Sequence, residues 1–363
     1  MNIFMLLLLV ILFRYLNVAR EGEFNRDYLS KENTAAVNGI FVLMVLFSHG
    51  AQYISLKGPY DQAYVALKVY LDQLVVSTFL FYSGYGMMES VKKKGYPYVR
   101  SVMTSRFWKL LFQFNVAVVL YLIVGYPMNM RFSPSRILLA TIAWTSVGNS
   151  NWYIFAIFGL YILFFLSFFV LKYRNRTTTL YVGAAVLTVL SAAFVLWQIR
   201  MGRPNYCYNT IILFSGGVWW SLLKKWIDQI VMRNEMVYFG IATVVAGIYC
   251  VSYVKRWNYG VEGYTVWATA FIMVLMLITM KVSLNNPVFS WFGNHVFSIY
   301  ILQRIPMSIL HYWGVSEKHK YVFLILSILS TMVIALIFEQ AVDAMVSGWC
   351  RVKGRLRPKQ LAG

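Results

Sequence analysis

The sequence predicts an all-α integral membrane protein, and three features of the 363-residue chain support that fold class. Hydrophobic residues make up 60% of the chain and charged residues only 13%, against roughly 25% charged residues in soluble domains. Apolar runs of about 20 residues, the length that a helix needs to cross a bilayer, recur with short polar breaks between them. The basic residues that give the net charge of +20 are concentrated in alternate breaks, which is typical of membrane topology rather than of nucleic acid binding.

Eleven apolar runs are predicted to cross the membrane, and in chain order they are 2–18, 35–56, 63–89, 107–127, 151–171, 179–199, 206–223, 236–254, 263–281, 288–310 and 321–346. A further apolar piece, residues 137–147, is too short to cross and is predicted to be a surface or re-entrant helix. The first run lacks a small-residue cleavage site, so we expect a retained anchor helix before a ten-helix core. The predicted divisions are an anchor and cytoplasmic linker (1–34), a membrane domain (35–346) and a basic cytoplasmic tail (347–363).

The basic residues also predict the orientation of the chain. One set of alternate breaks contains 21 lysines and arginines, the opposite set contains 9, and three more lie inside spans. Because cytoplasmic loops carry the excess of basic residues, the N-terminus is predicted to lie outside and the C-terminus in the cytoplasm. The three cysteines have no metal-ligand spacing and form no even set, so neither a disulfide framework nor a metal site is predicted.

His49 lies in the second predicted span, where an ionisable side chain marks a functional site by default. Counting the helical rise from the end of each span puts His49 and Asp72 at a similar depth. One hypothesis is that they are in contact, because a carboxylate would fix the imidazole tautomer and make the ring a stronger base. The alternatives are that Asp72 neutralises Lys68 one turn away, and that His49 makes only a structural hydrogen bond between helices.

The tenth predicted span is too polar to face lipid, because it contains Asn294, His295, Gln303 and Arg304. We expect it to face protein or a water-filled cavity, with a kink at Pro306. Arg304 either belongs to the site or extends to the outer interface. In the last span, Glu339 and Asp343 form either a proton path or pairs with the basic tail.

A dense run of basic residues follows the third span and leads into the fourth. For Lys92 to Lys94, a topology signal with attraction to anionic lipid is the alternative to binding a phosphate-bearing ligand. Arg106 and Lys109 lie inside the start of the next helix, where they suit a phosphate-bearing ligand that enters from the cytoplasm.

Four segments, in this order, resemble the membrane acyltransferase 3 family of bacterial multi-helix enzymes: NGIFVLMVLFSHG (38–50), FYSGYGMM (81–88), NWYIFAIFGLYI (151–162) and FGNHVFSIYILQRIP (292–306). The similarity covers roughly residues 35–345. By this resemblance, His49 takes the place of the catalytic histidine and Arg106 that of an arginine after the third span. The other matched positions are Ser83, Gly84, Trp152, Tyr153, Ser298 and Tyr300.

The resemblance implies an O-acyltransferase of the bacterial cytoplasmic membrane that moves an acyl group, often acetyl, from acyl-CoA to an extracytoplasmic glycan, with His49 as general base. Its catalytic residues would be His49, Asp72 and Arg304. The donor would be held by Arg106, Lys109, Ser83, Tyr300 and Trp152. Ser83, Tyr300 and Arg304 are the candidates for stabilising the oxyanion, and nothing in the sequence selects among them. The expected partners are acyl-CoA, a glycan, lipid and either a second copy or the glycan-synthesis machinery, without nucleic acid or metal.

Two positions depart from the family pattern. Asn38 stands where a basic residue is common, and Gln303 stands where many members carry histidine. The first departure removes part of the charge that would hold the donor. This departure keeps open a non-catalytic relative that acts as a sensor or assembly subunit. A proton-coupled transporter or flippase of a polar envelope precursor also stays open, because buried ionisable residues could serve proton coupling or substrate binding: His49, Asp72, Lys68, Arg304 and Glu339.

Overall fold

The computed structural model describes residues 1–71, 73–172, 177–256 and 259–356, with side chains up to residue 347 in these ranges. Almost all regular structure in this part of the chain is helical. The helices are α1 (Asn2–Arg14), α2 (Lys31–Gly50), α3 (Gln62–Leu71), α4 (Leu74–Lys94), α5 (Tyr96–Ser101), α6 (Trp108–Gly125), α7 (Pro134–Ala140), α8 (Trp152–Phe168), α9 (Thr177–Arg200), α10 (Ile212–Val231), α11 (Glu235–Lys255), α12 (Gly260–Lys281), α13 (Pro287–Asn294), α14 (Val296–Leu302), α15 (Arg304–Tyr312), α16 (Val315–Lys318) and α17 (Lys320–Leu356).

Shorter elements join these helices. A π-helical segment, Val102–Phe107, continues α5 into α6, and single 3₁₀ turns occupy Pro59–Asp61, Phe169–Lys172 and Asn205–Cys207. Two short strands, β1 (Asn17–Val18) and β2 (Val282–Ser283), pair antiparallel.

Seven helical segments of the described chain are long and apolar enough to cross a bilayer: Lys31–Gly50, Tyr96–Gly125, Trp152–Lys172, Thr177–Arg200, Glu235–Lys255, Gly260–Lys281 and Lys320–Ser347. An eighth is present if the bent pair of α3 and α4 forms one span. The predicted multi-pass helical membrane protein is therefore confirmed, whereas the predicted number of eleven is not. The helix in the first predicted span, α1, has only 13 residues, α10 carries charged side chains in its second half, and the tenth predicted span is broken into α13, α14 and α15.

The two ends of the bundle are marked by polar contacts. At one end, here the Asp61 end, the Met1 amine lies 2.9 Å from Asp61 Oδ1, and Lys320 Nζ lies 2.7 Å from Asp61 Oδ2. The opposite end is called the strand end, because Asn17 of β1 pairs there with Ser283 of β2. Both α1 and α17 therefore begin at the Asp61 end.

Glycines set the separation of the helices around the site. A Cβ atom on Gly39 of α2 would lie 1.8 Å from the Phe289 carbonyl oxygen of α13, and one on Gly293 of α13 would lie 1.8 Å from the Ala35 carbonyl oxygen of α2. Only glycine permits such close backbone contact, which fixes the register of α2 against α13. The α4 and α10 helices approach each other in the same way at Gly84 and Gly217.

The segment from α13 to α15 is interrupted at His295 and again at Gln303. Pro306 explains the second break, because proline donates no N–H and its ring collides with the carbonyl group four residues earlier. The first break directs His295 towards α17, where its Nδ1 lies 2.7 Å from Glu339 Oε2, while Ser298 donates to Glu339 Oε1 at 2.6 Å. Glu339 is thus bonded inside the bundle.

Candidate active site

His49 and Arg304 are in direct contact at the Asp61 end of the bundle. His49 lies in the last turn of α2, and Arg304 begins α15 directly after the break that Pro306 imposes. Arg304 Nη2 lies 2.6 Å from His49 Nδ1 and also donates to Gln52 Oε1 at 2.7 Å. Arg304 Nε donates to Ser150 Oγ at 2.8 Å, and that oxygen lies 3.3 Å from His49 Nε2.

These contacts define the protonation of the ring. A guanidinium has only donors, so the contact from Arg304 Nη2 requires a lone pair on His49 Nδ1. The neutral imidazole therefore carries its proton on Nε2, which faces Ser150 Oγ. Arg304 and Ser150 together select one tautomer and hold the plane of the ring, the function that a carboxylate performs beside many catalytic histidines.

His49 faces a cavity of about 160 Å³, here the histidine cavity. Its polar lining includes Ser48, Lys68 and Gln73, and its walls include Trp152 and Tyr300. Lys68 is half-buried. A molecule in this cavity would meet the imidazole edge with a cationic amine nearby.

A second cavity, here the arginine cavity, has a volume of about 390 Å³. Arg106 is the only charged side chain among the described residues that line it, and Ser83 lines it with its hydroxyl 3.3 Å from that of Tyr161. Arg106 lies on the π-helical segment, a distortion that occurs frequently at functional sites.

Three buried polar atoms of the arginine cavity have no hydrogen-bond partner among the described residues. They are Asn38 Oδ1, Tyr82 Oη and Tyr300 Oη. Buried polar groups are almost always hydrogen-bonded in folded proteins, so three such atoms around one cavity indicate a site for a polar ligand.

A third cavity of about 510 Å³, here the tryptophan pocket, is lined by Arg136, Trp144, Ser146, Trp152, Arg203 and Tyr206, among others. Tyr300 lines both the arginine and the histidine cavities, and Trp152 lines both the histidine cavity and the tryptophan pocket. The three cavities therefore form a row through the bundle, with His49 in the middle one. Along α2, Asn38 and His49 are separated by about 16 Å, so the row extends over much of the bundle.

The structure brings together some predicted site residues and separates others. His49 and Arg304 meet, and Arg106, Ser83 and Tyr300 line one cavity. Trp152 lies apart from Arg106, in the histidine cavity and the tryptophan pocket.

One further predicted residue does not line any of the three cavities, and another cannot be placed. Lys109 is exposed and is not among the residues that line the three cavities. Asp72 falls outside the described residues, so its contact with His49 stays a prediction.

Sequence reasoning missed Ser150, which bonds both His49 and Arg304. It lies in the polar run GNSN that directly precedes Trp152, just before the predicted span 151–171 begins at the last residue of this run. Such a run at the mouth of a predicted span is a signal that could have identified it, since polar groups there can reach a ligand without crossing lipid.

Comparison with known protein families matches residues 36–340 to a family described as an acyltransferase domain. The match covers well over half of the chain and includes His49, Ser150 and Arg304. Comparison with curated proteins and comparison with solved structures each find no match.

Proposed function

Because the chain belongs to the acyltransferase 3 family, we propose that it is an integral-membrane O-acyltransferase that moves an acyl group from acyl-CoA to a hydroxyl of an extracytoplasmic polysaccharide or cell-envelope glycan. The proposed acyl group is acetyl, and the proposed location is the bacterial cytoplasmic membrane. The observation that carries this proposal is the row of three cavities with His49 in the middle one. Such a row allows a donor from one side of a membrane to meet an acceptor from the other.

The proposed topology puts the strand end in the cytoplasm and the Asp61 end outside. It has eleven crossings, in which the short α1, the charged α10 and the broken α13 to α15 segment also cross. The common starting point of α1 and α17 supports an odd number, because both helices then run towards the strand end. The excess of basic residues in the breaks assigned to the strand end supports the orientation.

In this proposal the donor occupies the arginine cavity. Arg106 pairs with a phosphate of coenzyme A, since a guanidinium and a phosphate form charge-assisted hydrogen bonds. The unpartnered Asn38 and Tyr82 oxygens suit the amide groups of the pantetheine arm. The arm then leads the thioester past Ser83 to Tyr300, at the boundary with the histidine cavity.

The acceptor hydroxyl enters the histidine cavity and takes the place of Arg304 Nη2 at His49 Nδ1. Nδ1 removes the hydroxyl proton while the hydroxyl oxygen attacks the thioester carbonyl carbon. The imidazolium that forms keeps its Nε2–H bond to Ser150 Oγ. The tetrahedral intermediate then breaks its C–S bond, and the thiolate of coenzyme A takes the proton from the imidazolium.

Of the three candidates for the oxyanion donor, Tyr300 fits best. Arg304 already donates to three side chains, and the Ser83 hydroxyl is within hydrogen-bond distance of Tyr161. The Tyr300 hydroxyl is buried without a partner, and its residue lines both cavities. A donor that is held in place before the reaction stabilises the oxyanion without the cost of reorganisation.

The test is transfer of radiolabelled acetyl from acetyl-CoA to envelope glycans in membranes that contain wild-type protein, His49→Ala or His319→Ala at matched expression. His319 is an exposed histidine that lines none of the three cavities, so it controls for loss of an imidazole as such. We expect His49→Ala to lower the rate by at least about 10²-fold, the usual contribution of a general base. Full activity of His49→Ala would reject the general-base role. Absence of transfer by wild type across a panel of glycans and acyl donors would reject the transferase proposal.

A further inference from the structure

The tryptophan pocket combines aromatic faces with fixed positive charge. Trp144, Trp152 and Tyr206 are the aromatic residues of its lining, and the other lining residues come from α7, the loop between α7 and α8, and the segment after α9. Aromatic faces of this kind pack against the apolar C–H faces of sugar rings. Arg136 and Arg203 supply the charge, and no aspartate or glutamate is among the described residues that line the pocket.

Backbone contacts hold each arginine in place. Arg136 Nε donates to the Ser146 carbonyl oxygen at 2.9 Å, and Arg203 Nη1 donates to the Trp144 carbonyl oxygen at 3.0 Å. The Arg203 guanidinium also lies over the Trp144 ring, 4.4 Å from its centroid. Each contact uses one of the five N–H donors of a guanidinium, which leaves paired donors for a carboxylate or a phosphate.

One loop links this pocket to the reacting groups. A turn at Ser146, whose hydroxyl donates to the Asn149 carbonyl oxygen at 2.6 Å, forms part of the pocket wall. Ser150, the residue after Asn149, is hydrogen-bonded to Arg304 and His49. Trp152, two residues further along the chain, lines both the pocket and the histidine cavity. A ligand in the pocket therefore lies directly beside the position of the acceptor hydroxyl.

We propose that the tryptophan pocket is the acceptor subsite and that it binds an anionic sugar residue, a uronate or a phosphate-bearing sugar, of the glycan to be acylated. This inference rests on the proposed transferase function and adds the chemical class of its acceptor. The sugar ring packs on Trp152 and Tyr206, because the guanidinium of Arg203 already lies over the Trp144 ring. The anionic group of the sugar is held between Arg136 and Arg203. A neighbouring hydroxyl of the same glycan then reaches His49 past Trp152.

A phospholipid headgroup would also satisfy two arginines, but the pocket favours a glycan. Its walls are aromatic and polar on several sides, whereas an acyl chain would need a continuous apolar groove. The pocket also leads to His49 through the half-buried Trp152, which suits a hydroxyl-rich ligand.

The test measures binding without a donor, so that it does not depend on transfer. Purified full-length protein in nanodiscs is titrated with a glucuronate-containing oligosaccharide, with the same oligosaccharide after reduction of its carboxyl group, and with a phosphate-substituted oligosaccharide. Wild type is compared with Arg136→Gln, Arg203→Lys and, as a control, Arg131→Gln. Arg131 is an exposed arginine that lies 4.1 Å from the Tyr126 ring centroid and is not among the pocket residues.

We expect an anionic oligosaccharide to bind at least tenfold more tightly than its reduced counterpart, and this preference to be lost in Arg136→Gln and weakened in Arg203→Lys but kept in Arg131→Gln. Comparison of the glucuronate and phosphate ligands then identifies the anion. Equal affinity for the charged and reduced oligosaccharides would overturn the inference. So would arginine-dependent binding of phosphatidylglycerol in nanodiscs without any glycan binding.

A separate assay of acetyl transfer distinguishes the two proposals. Arginine-dependent glycan binding without transfer would retain the subsite and reject the transferase function. Transfer to neutral glycans that is insensitive to Arg136→Gln would retain the function and reject the subsite. Thermal unfolding of each variant controls for folding, and the exposed Arg136 can be replaced without disturbing the core.

Discussion

Removal of one oxygen atom, in Tyr300→Phe, separates the proposed chemistry from the stability of the fold. The hydroxyl of Tyr300 is buried, the residue is 2% exposed, and the oxygen has no partner among the described residues. A buried hydroxyl without a partner costs about 1–3 kcal/mol of stability. Phenylalanine removes that cost and keeps the ring contacts with Tyr153 and His49, whose centroids lie 5.3 and 6.4 Å away.

The same substitution removes the proposed oxyanion donor. Loss of one such donor typically costs about 2.7–4 kcal/mol of transition-state stabilisation, which corresponds to about 10²- to 10³-fold in kcat. We therefore expect Tyr300→Phe to unfold at the same temperature as wild type or higher, yet to be far less active. A substitution that lowered activity by disturbing the fold would also lower the unfolding temperature, so this combination distinguishes a chemical role from a structural one.

The assay is steady-state acetyl transfer by purified protein, together with thermal unfolding in the same detergent. Tyr82→Phe is the matched control, because Tyr82 is also buried in the arginine cavity with an unpartnered hydroxyl but does not line the histidine cavity. We expect Tyr82→Phe to raise the KM for the donor and to change kcat little. A kcat of Tyr300→Phe within twofold of wild type would refute the oxyanion assignment, as would an equal loss of kcat in both variants.

Three further outcomes are expected. Arg304→Lys keeps the charge but loses the planar guanidinium that bonds three side chains. We therefore expect kcat to fall by about 10²-fold in the transfer assay, and near-wild-type activity would show that the guanidinium geometry is dispensable. Arg106→Gln should raise the donor KM at least tenfold with little effect on acceptor KM, and an unchanged donor KM would contradict the donor site. Gly39→Ala should lower the free energy of unfolding by about 1–3 kcal/mol, because its methyl group would collide with a carbonyl oxygen of α13. Gly240→Ala is the control, since a methyl group there would point into open space and should leave stability unchanged. Equal melting temperatures of the two variants would show that the α2–α13 contact can relax.

The fold class and several site residues could be predicted from the sequence because they depend on local properties. Hydrophobicity over about 20 residues predicts a crossing helix, and Pro306 predicts a break that the structure has at Gln303. The number of crossings was less accessible, because α1 is short, α10 is charged and α13 to α15 are interrupted. The charges of α10 are visible in the sequence, whereas the point at which α1 ends and the break at His295 are seen only in the structure.

The hydrogen-bond partner of His49 is a second feature that could not be determined from the sequence. Counting the helical rise gives the depth of a side chain in the bilayer, and at the depth of His49 it allows both Asp72 and Arg304. The choice depends on the angular position of each helix around the bundle. For Arg304 that position is determined by the contact of α2 with α13, which Gly39 and Gly293 make possible, and by the break at Gln303.

The contact between Arg304 and His49 Nδ1 has a consequence for how the proposed reaction begins. The lone pair that must accept the proton of the acceptor already accepts a hydrogen bond, so His49 is a poor base until the acceptor hydroxyl replaces Arg304 Nη2. That nitrogen retains Gln52 Oε1 as an acceptor, and Nε retains Ser150 Oγ, so the guanidinium can withdraw without losing all its partners. Because water in the histidine cavity would have to displace the same bond, the arrangement would protect the thioester of the proposed donor from hydrolysis. The proposed enzyme should therefore hydrolyse acetyl-CoA slowly when no glycan is present, and Arg304→Lys should raise that hydrolysis relative to transfer.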